Sequence, residues 1–308
     1  MQSLWGGYGE IRRATLFTEV ATPVIVKYVV PPAADDAARD SAEARSHQRK
    51  LRSYQVERAF YESYAAQADA ACRLPAPLHL SAQNGRLLFV LEDLDAAGFE
   101  LRKNRVSPLE VQAGLRWLAA FHATFLNQAP ERLWKVGSYW HLATRPDELS
   151  ALSDAALRRA APRIDAHLNR ARFRTFVHGD AKLQNFCLAS AQPAVAAVDF
   201  QYVGGGVGVK DVAYFLTSCL SDSELESSAE SYLDHYFAEL ACRVRACSSL
   251  TAPVDVAALE VEWRALYPLA CADFYRFLLG WAPGSAGQER YLAGVTRAVL
   301  RADPTLAR

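Results

Sequence analysis

Two short runs of the chain bring together residue types that can do chemistry. One is His178-Gly179-Asp180-Ala181-Lys182-Leu183-Gln184-Asn185, and the other is Val198-Asp199-Phe200-Gln201. Thr175-Phe176-Val177 reads as a short strand entering the first run, and Phe186-Cys187-Leu188 as another leaving it. Val195 to Val198 reads as a strand that ends at Asp199, after the turn-like Ser190-Ala191-Gln192-Pro193. If the strands flanking that turn pair antiparallel, the start of one lies beside the end of the other. Asn185 and Asp199 then come together. A carboxylate and an amide oxygen side by side suit Mg²⁺, which takes oxygen ligands and is often shared with substrate phosphates. Asp180 sits on the loop just before, placed to accept a proton from an attacking hydroxyl. Lys182 could meet the charge of a moving phosphoryl group. The chemistry such a set would perform is phosphoryl transfer, which needs positioning, charge and an oriented nucleophile more than covalent help.

The spacing Asp-x-Lys-x-x-Asn reproduces the protein-kinase catalytic loop. Taken with His178-Gly179-Asp180 and Val198-Asp199-Phe200-Gln201, the chain resembles the aminoglycoside phosphotransferase/choline kinase superfamily. The Asp-Phe-Gln ending is most similar to its ecdysteroid-kinase-like branch. The resemblance implies an α+β, bilobal protein-kinase-like fold with a small β-rich N-lobe, a larger mostly helical C-lobe and the active site between them. It implies ATP and Mg²⁺ as cofactors, Asp180 as catalytic base with Lys182 beside it, and Asn185 and Asp199 as metal ligands. It further implies that His178 is a buried brace and that Glu92 and Leu94 belong to a hinge that holds adenine. Asp211 would open the next helix as its N-cap while also bracing the catalytic loop.

The elements that must position these residues can be sought upstream. Val24-Ile25-Val26-Lys27-Tyr28-Val29-Val30 is the strongest strand signal, stopped by Pro31-Pro32. Lys27 resembles the phosphate-binding lysine of V-A-I-K, with Glu57 as its expected carboxylate partner and Glu62 as the second choice. Glu10 to Glu19 is β-prone after Gly6-Gly7-Tyr8-Gly9, where Gly7 and Gly9 could form a loop over phosphates or a plain turn. Residues 33–44 read as a polar loop. Ser46 to about Ala71 fits a helix, and Leu87 to Leu91 a buried strand after an Asn84-Gly85 turn. Pro108 to Asn127 is a helix carrying His122 as a packing residue, and helices resume near Asp211. The lobe boundary is expected after Asp95, giving an N-lobe over 1–95 and a C-lobe over 96–308.

Thirty-four basic residues balance thirty-four acidic ones, so no global field points to nucleic acid. The basic stretch Arg45 to Arg52 reads as a solvated helix face. No apolar run is long enough for a membrane span, no leader pattern opens the chain, and the six cysteines suit free thiols in a cytoplasmic protein. The expected partner is a small hydroxylated acceptor, and the oligomeric state is left open. A cationic acceptor would want an acidic pocket, for which Asp273 is the first candidate. A sterol would want an apolar one. Trp263, Tyr267, Tyr275 and Trp281 read mostly as core and Lys210 as solvent-exposed, while the resemblance implies that Gly204 to Gly208 form a connector. Two other functions fit the same motifs: a protein kinase, and an inactive nucleotide-binding or scaffold protein. Only eleven residues separate Asp199 from Asp211 and no A-P-E follows, which leaves a peptide-binding segment little room.

Overall fold

A computed structural model describes residues 2–17, 19–32, 41–247, 253–282 and 289–307. Its N-terminal part is a five-stranded antiparallel sheet. The strands are β1 (Gln2–Ser3), β2 (Gly9–Phe17), β3 (Ala21–Val29), β4 (Pro77–Gln83) and β5 (Arg86–Glu92), in the order β1-β2-β3-β5-β4. The β-branched run of β3 lies centrally, hydrogen-bonded on both sides. Asn84 and Gly85 both take positive φ and join β4 to β5, as a tight hairpin turn requires. The register sets Ile11 opposite Lys27, and Ile25 opposite both Arg13 and Leu91. Directly opposed residues share a face, so these five side chains project to the same side of the sheet, over the cleft.

Helix α1 (Ala42–Ser63) crosses that sheet, capped by the Ser41 hydroxyl, which accepts from Ala44 N–H. It begins earlier and ends earlier than its apolar spacing predicts. Two 3-10 turns follow it to Cys72, the second capped by the Asp69 carboxylate. Of the expected 33–44 loop, residues 33–40 lie outside the described residues, and 41–44 form the cap and first turn of α1.

The remainder is mainly helical: α2 (Pro108–Thr124), α3 (Pro146–Ala151), α4 (Ala155–Asn169), α5 (Val209–Cys219), α6 (Asp222–Ala246), α7 (Val256–Trp281) and α8 (Arg290–Ala302). Ser107 and Glu110 form a capping box at α2, with Pro108 in its first turn. No described helix is long and apolar enough to cross a membrane. The chain thus has the mixed α+β, protein-kinase-like architecture that its motifs imply. Between α4 and α5 run two small antiparallel pairs, β6 (Thr175–Val177) with β9 (Gly204–Gly206) and β7 (Phe186–Leu188) with β8 (Val195–Ala197).

Strand β9 corrects the connector reading. Three glycines carry no β-propensity, so the strand has no compositional signal. Its glycines answer a packing need instead. The backbone around Trp134 lies directly on β9, with Gly205 N–H donating to Trp134 O at 3.1 Å and Gly137 N–H to Gly205 O at 2.9 Å. A Cβ on Gly204 would overlap the Trp134 carbonyl. Gly204→Ala should therefore destabilise the protein by about 1–3 kcal/mol. Urea denaturation reads this as a lower midpoint with an unchanged slope, and an unchanged midpoint would refute the packing account.

Candidate functional site

A cleft of about 1100 Å³ lies beneath the sheet. Its roof is the sheet face carrying Ile11, Arg13, Ile25, Lys27 and Leu91, and its floor carries Asp180, Lys182, Asn185 and Asp199. Lys27 Nζ donates to Glu57 Oε2 at 2.6 Å, with both side chains almost wholly buried. Glu57 reaches this point because two successive turns of α1 bury Tyr54, Glu57 and Tyr61 on a single face. Burial raises the Glu57 carboxyl above its ordinary range and Lys27 opposes the rise. Glu62 pairs instead with Arg132, at 2.6 Å, and with Arg58. Of the two candidates, the structure therefore puts Glu57 beside Lys27.

The β7–β8 hairpin forms in the expected sense, with Phe186 opposite Ala197, and Val198 N–H extends the ladder to Asn185 O at 2.9 Å. Asn185 Nδ2 donates to Asp180 O at 2.7 Å and to Asp180 Oδ2 at 2.9 Å, leaving the amide oxygen as its acceptor. Lys182 Nζ stands 3.2 Å from Asp180 Oδ2. Burial, opposed by Lys182, pushes the Asp180 carboxyl up to about 6. Burial works against the Lys182 charge, but Asp180 outweighs it and the ammonium is favoured overall. Asp199 takes φ 70° and ψ 67°, a left-handed conformation that aspartate tolerates better than most residues. Asp180 Oδ1 and Asp199 Oδ1 are both buried without a hydrogen-bond partner among the described residues. Bare carboxylate oxygens in such a place call for a cation. The Asp199 carboxylate and the Asn185 amide oxygen have the donor chemistry to hold Mg²⁺.

A second layer holds this loop in shape. Asp211, with no exposed surface, accepts His178 N–H at 2.5 Å and Gly179 N–H at 2.9 Å. His178 Nε2 meets Val198 O at 3.0 Å while its Nδ1 accepts Asp180 N–H at 3.3 Å, which assigns the Nε2–H tautomer. Burial lowers the His178 pKa, so the ring is a neutral brace. One part of the expectation for Asp211 needs correction: it is not the N-cap. Gly208 holds that position, and Asp211 sits within the first turn of α5, free to reach back to the loop. His122 does more than pack. Its Nε2 is 3.2 Å from Asp211 Oδ2 and its Nδ1 is 2.8 Å from the Tyr236 hydroxyl. No spacing in the sequence links His122 to Asp211, and the helical pattern of α2 reports only that His122 is on its buried face.

Other expectations fall differently. Glu92 and Leu94 line the cleft, and the Glu92 carboxylate pairs with Arg73. Gly6 and Gly7 take positive φ in the turn between β1 and β2, as does Gly9 at the start of β2, while the cleft itself is lined there by Ser3 and Leu4. Asp273 does not face the cleft: its carboxylate is buried between Arg276, at 2.8 Å, and Lys210, at 3.3 Å, and also accepts from Trp140 Nε1. Lys210 is accordingly buried, not solvent-exposed. Trp263, Tyr267 and Tyr275 are core, whereas Trp281 is 55% exposed and lines the cleft. The basic stretch is not simply a solvated face. Arg49 and Lys50 line the cleft, and Arg45 pairs with Asp147.

The sequence matches the phosphotransferase enzyme family (APH) over residues 30–246. That span runs from the end of β3 to the end of α6 and takes in the whole floor of the cleft. The chain belongs to this family. No curated protein matches it in sequence. Among solved structures it is similar to an ethanolamine kinase of Plasmodium vivax, at 10% identity, covering 96% of this chain and 82% of that one, with a TM-score of 0.49. It is also similar to a choline kinase of Cryptosporidium parvum Iowa II, at 9% identity, covering 98% of this chain and 90% of that one, with a TM-score of 0.48. Likenesses this distant say nothing of substrate or mechanism.

The buried ion pair makes a testable claim about stability. Lys27→Met strands Glu57 in the interior and should cost about 3–5 kcal/mol at neutral pH. The variant's Glu57 pKa is raised further above its unfolded value, so the folded state holds a proton that the unfolded chain releases. The deficit should therefore shrink as pH falls from 8 to about 5, and Lys27→Met/Glu57→Leu should recover much of the loss. Denaturation across that pH range measures both effects, and a deficit that grows toward acid would refute the pairing.

Proposed function

We propose that the protein is a small-molecule kinase that transfers the γ-phosphate of ATP to a hydroxyl of a small acceptor. The observation that carries this reading is the convergence of the Lys27–Glu57 pair and the Asp180–Lys182–Asn185–Asp199 cluster on one cleft. Lys27 would bind phosphate oxygens of the donor, and Glu92 and Leu94 would frame its adenine. Asn185 and Asp199 would hold Mg²⁺, which supplies charge neutralisation at the phosphates when bound. Asp180 Oδ1, which has no hydrogen-bond partner within 3.5 Å among the described residues, takes the acceptor's hydroxyl proton. Lys182 offsets negative charge gathering at the transferred group.

The two rival readings are less well supported. In a protein kinase a long segment after the metal-binding aspartate receives the peptide. Here that stretch is a 3-10 turn, a paired strand and the start of α5. In an inactive homologue some polar group of the cluster would be expected to be missing, and none is. The ecdysteroid-kinase-like branch remains the nearest fit for the Asp-Phe-Gln ending. Gln201 there accepts the Ser53 hydroxyl at 3.0 Å, one turn before Glu57. Residues 1–95 and 96–308 serve in this reading as the donor-binding and acceptor-binding lobes. Six free thiols suit a reducing, cytoplasmic setting.

Asp180→Asn should lower turnover by about two orders of magnitude or more while ATP binding persists. Asp199→Ala should lower both rate and Mg-ATP affinity. A coupled assay of ATP consumption, with pools of hydroxylated metabolites and of peptides, tests both variants. Full activity of Asp180→Asn, or phosphorylation confined to peptides, would overturn the proposal. A base that must be ionised also sets a pH limb. Its carboxyl lies near 6 before a cation is bound, and a bound cation lowers it. The rate should therefore be flat above about 7 and fall on the acid side, with an inflection at or below about 6. A rate that rises toward acid would exclude Asp180 as the base.

A further inference from the structure

The wall of the cleft beyond Asp180 shows what kind of acceptor it suits. Tyr139 and Tyr202 pack edge to face at 5.0 Å, and Tyr139 and Phe277 do so at 5.5 Å. Set into this aromatic wall are two guanidinium groups. Arg145, only 3% exposed, donates from Nε to Tyr139 O at 2.8 Å and pairs with Glu148 at 3.0 Å. Arg49 reaches the same wall from α1 and donates to Thr144 O at 2.9 Å and Ser46 Oγ at 3.4 Å. No carboxylate forms a salt bridge with Arg49 among the described residues. Burial lowers the Arg49 pKa, and the charge of Arg145 lowers it further. Two like charges held together in a half-buried wall, with one carboxylate between them, repel each other. A ligand that brings a negative charge relieves that repulsion.

The carboxylates of the cleft point the same way. Glu57 is paired with Lys27, Glu92 with Arg73 and Asp93 with Arg13. Asp180 and Asp199 belong to the transfer machinery. Asp273, the acidic group expected to receive a cationic acceptor, is enclosed by Arg276 and Lys210. Aromatic faces alone can hold a cation. Here Arg145 already lies over the Tyr139 ring at 4.1 Å and near the Phe277 ring at 5.3 Å.

We propose that the acceptor is a hydroxylated molecule bearing an oxyanion on a flat apolar body, with Arg49 and Arg145 receiving the oxyanion. This deepens the kinase reading and rests on it. Cationic amino alcohols are disfavoured by the same wall. Tyr139, Tyr202 and Phe277 cover the flat body while Asp180 faces the hydroxyl.

A matched set of benzyl alcohols tests the charge preference. Para-hydroxymethyl benzoate, para-hydroxymethyl phenylphosphonate, uncharged para-xylylene glycol and para-hydroxymethyl benzylamine are titrated calorimetrically into the full chain. Mg²⁺ and a non-hydrolysable ATP analogue are present throughout. The oxyanionic probes should bind on the order of tenfold more tightly than the amine. Arg49→Gln should reduce that preference, and Arg49→Gln/Arg145→Gln should erase it. Arg145 also supports its own loop, so thermal melting checks each variant, and Arg49→Gln alone carries the test if the double variant unfolds. Equal or tighter binding of the amine, binding by none of the four probes at millimolar concentration, or an unchanged ranking in Arg49→Gln would overturn the inference. Failure of the kinase reading looks different: the oxyanion preference would remain while ATP is consumed with no acceptor.

Discussion

One carboxylate with no exposed surface holds the loop that carries Asp180 in place. Asp211 accepts two successive backbone N–H groups, from His178 at Oδ2 and Gly179 at Oδ1, and its Oδ2 also meets the His122 ring. Inside a protein such bonds are electrostatically strong, and leaving any of these donors unmet is costly. Their effect is geometric. They fix the turn at Gly179, whose φ of 80° few side chains allow, and that turn aims Asp180 into the cleft. The neutral His178 ring then ties the same turn to Val198, the residue before Asp199. Asp180 and Asp199 are positioned by one connected set of bonds.

A second chain of contacts joins this floor to the roof. Phe200, next to Asp199, stacks on Phe60 of α1 at 4.4 Å and packs near Trp117, Phe121 and His178. Gln201 accepts from Ser53, on the same helix. Helix α1 thus touches the segment carrying Asp199 on one side and supplies Glu57 to Lys27 on the other. A shift of α1 would disturb both ends of the site together. Packed cores transmit such shifts because they have few voids to absorb them.

The sequence made the chemistry legible and left the support structure mostly hidden. Local motifs report groups that lie close along the chain, so Asp180, Lys182 and Asn185 stood out, and the hairpin argument brought Asp199 beside them. Lys27 was found by its likeness to the V-A-I-K lysine, and Glu57 as the carboxylate expected on the helix that follows. His122, Tyr236 and Asp211 come from three separate helices, and nothing in a linear pattern ties them together. Charge was misread for a related reason. Composition describes Arg49 and Lys210 as surface residues, but burial depends on which helix face meets the rest of the chain. Asp273 stood out as acidic before its two basic neighbours were visible. The glycines of β9 looked like slack, and only the backbone of Trp134 lying against them shows that they are compressed.

That compression bears on control. From Asp199 to Asp211 the chain is a 3-10 turn, a strand paired to β6 and a helix start tied back to the loop that carries Asp180. Enzymes of this general architecture can be switched by covalently modifying a loose segment at this place, which orders it through new ionic contacts. Here the segment is already ordered and its central residues carry no side chain to modify. The order that such a modification would supply is already present in this segment.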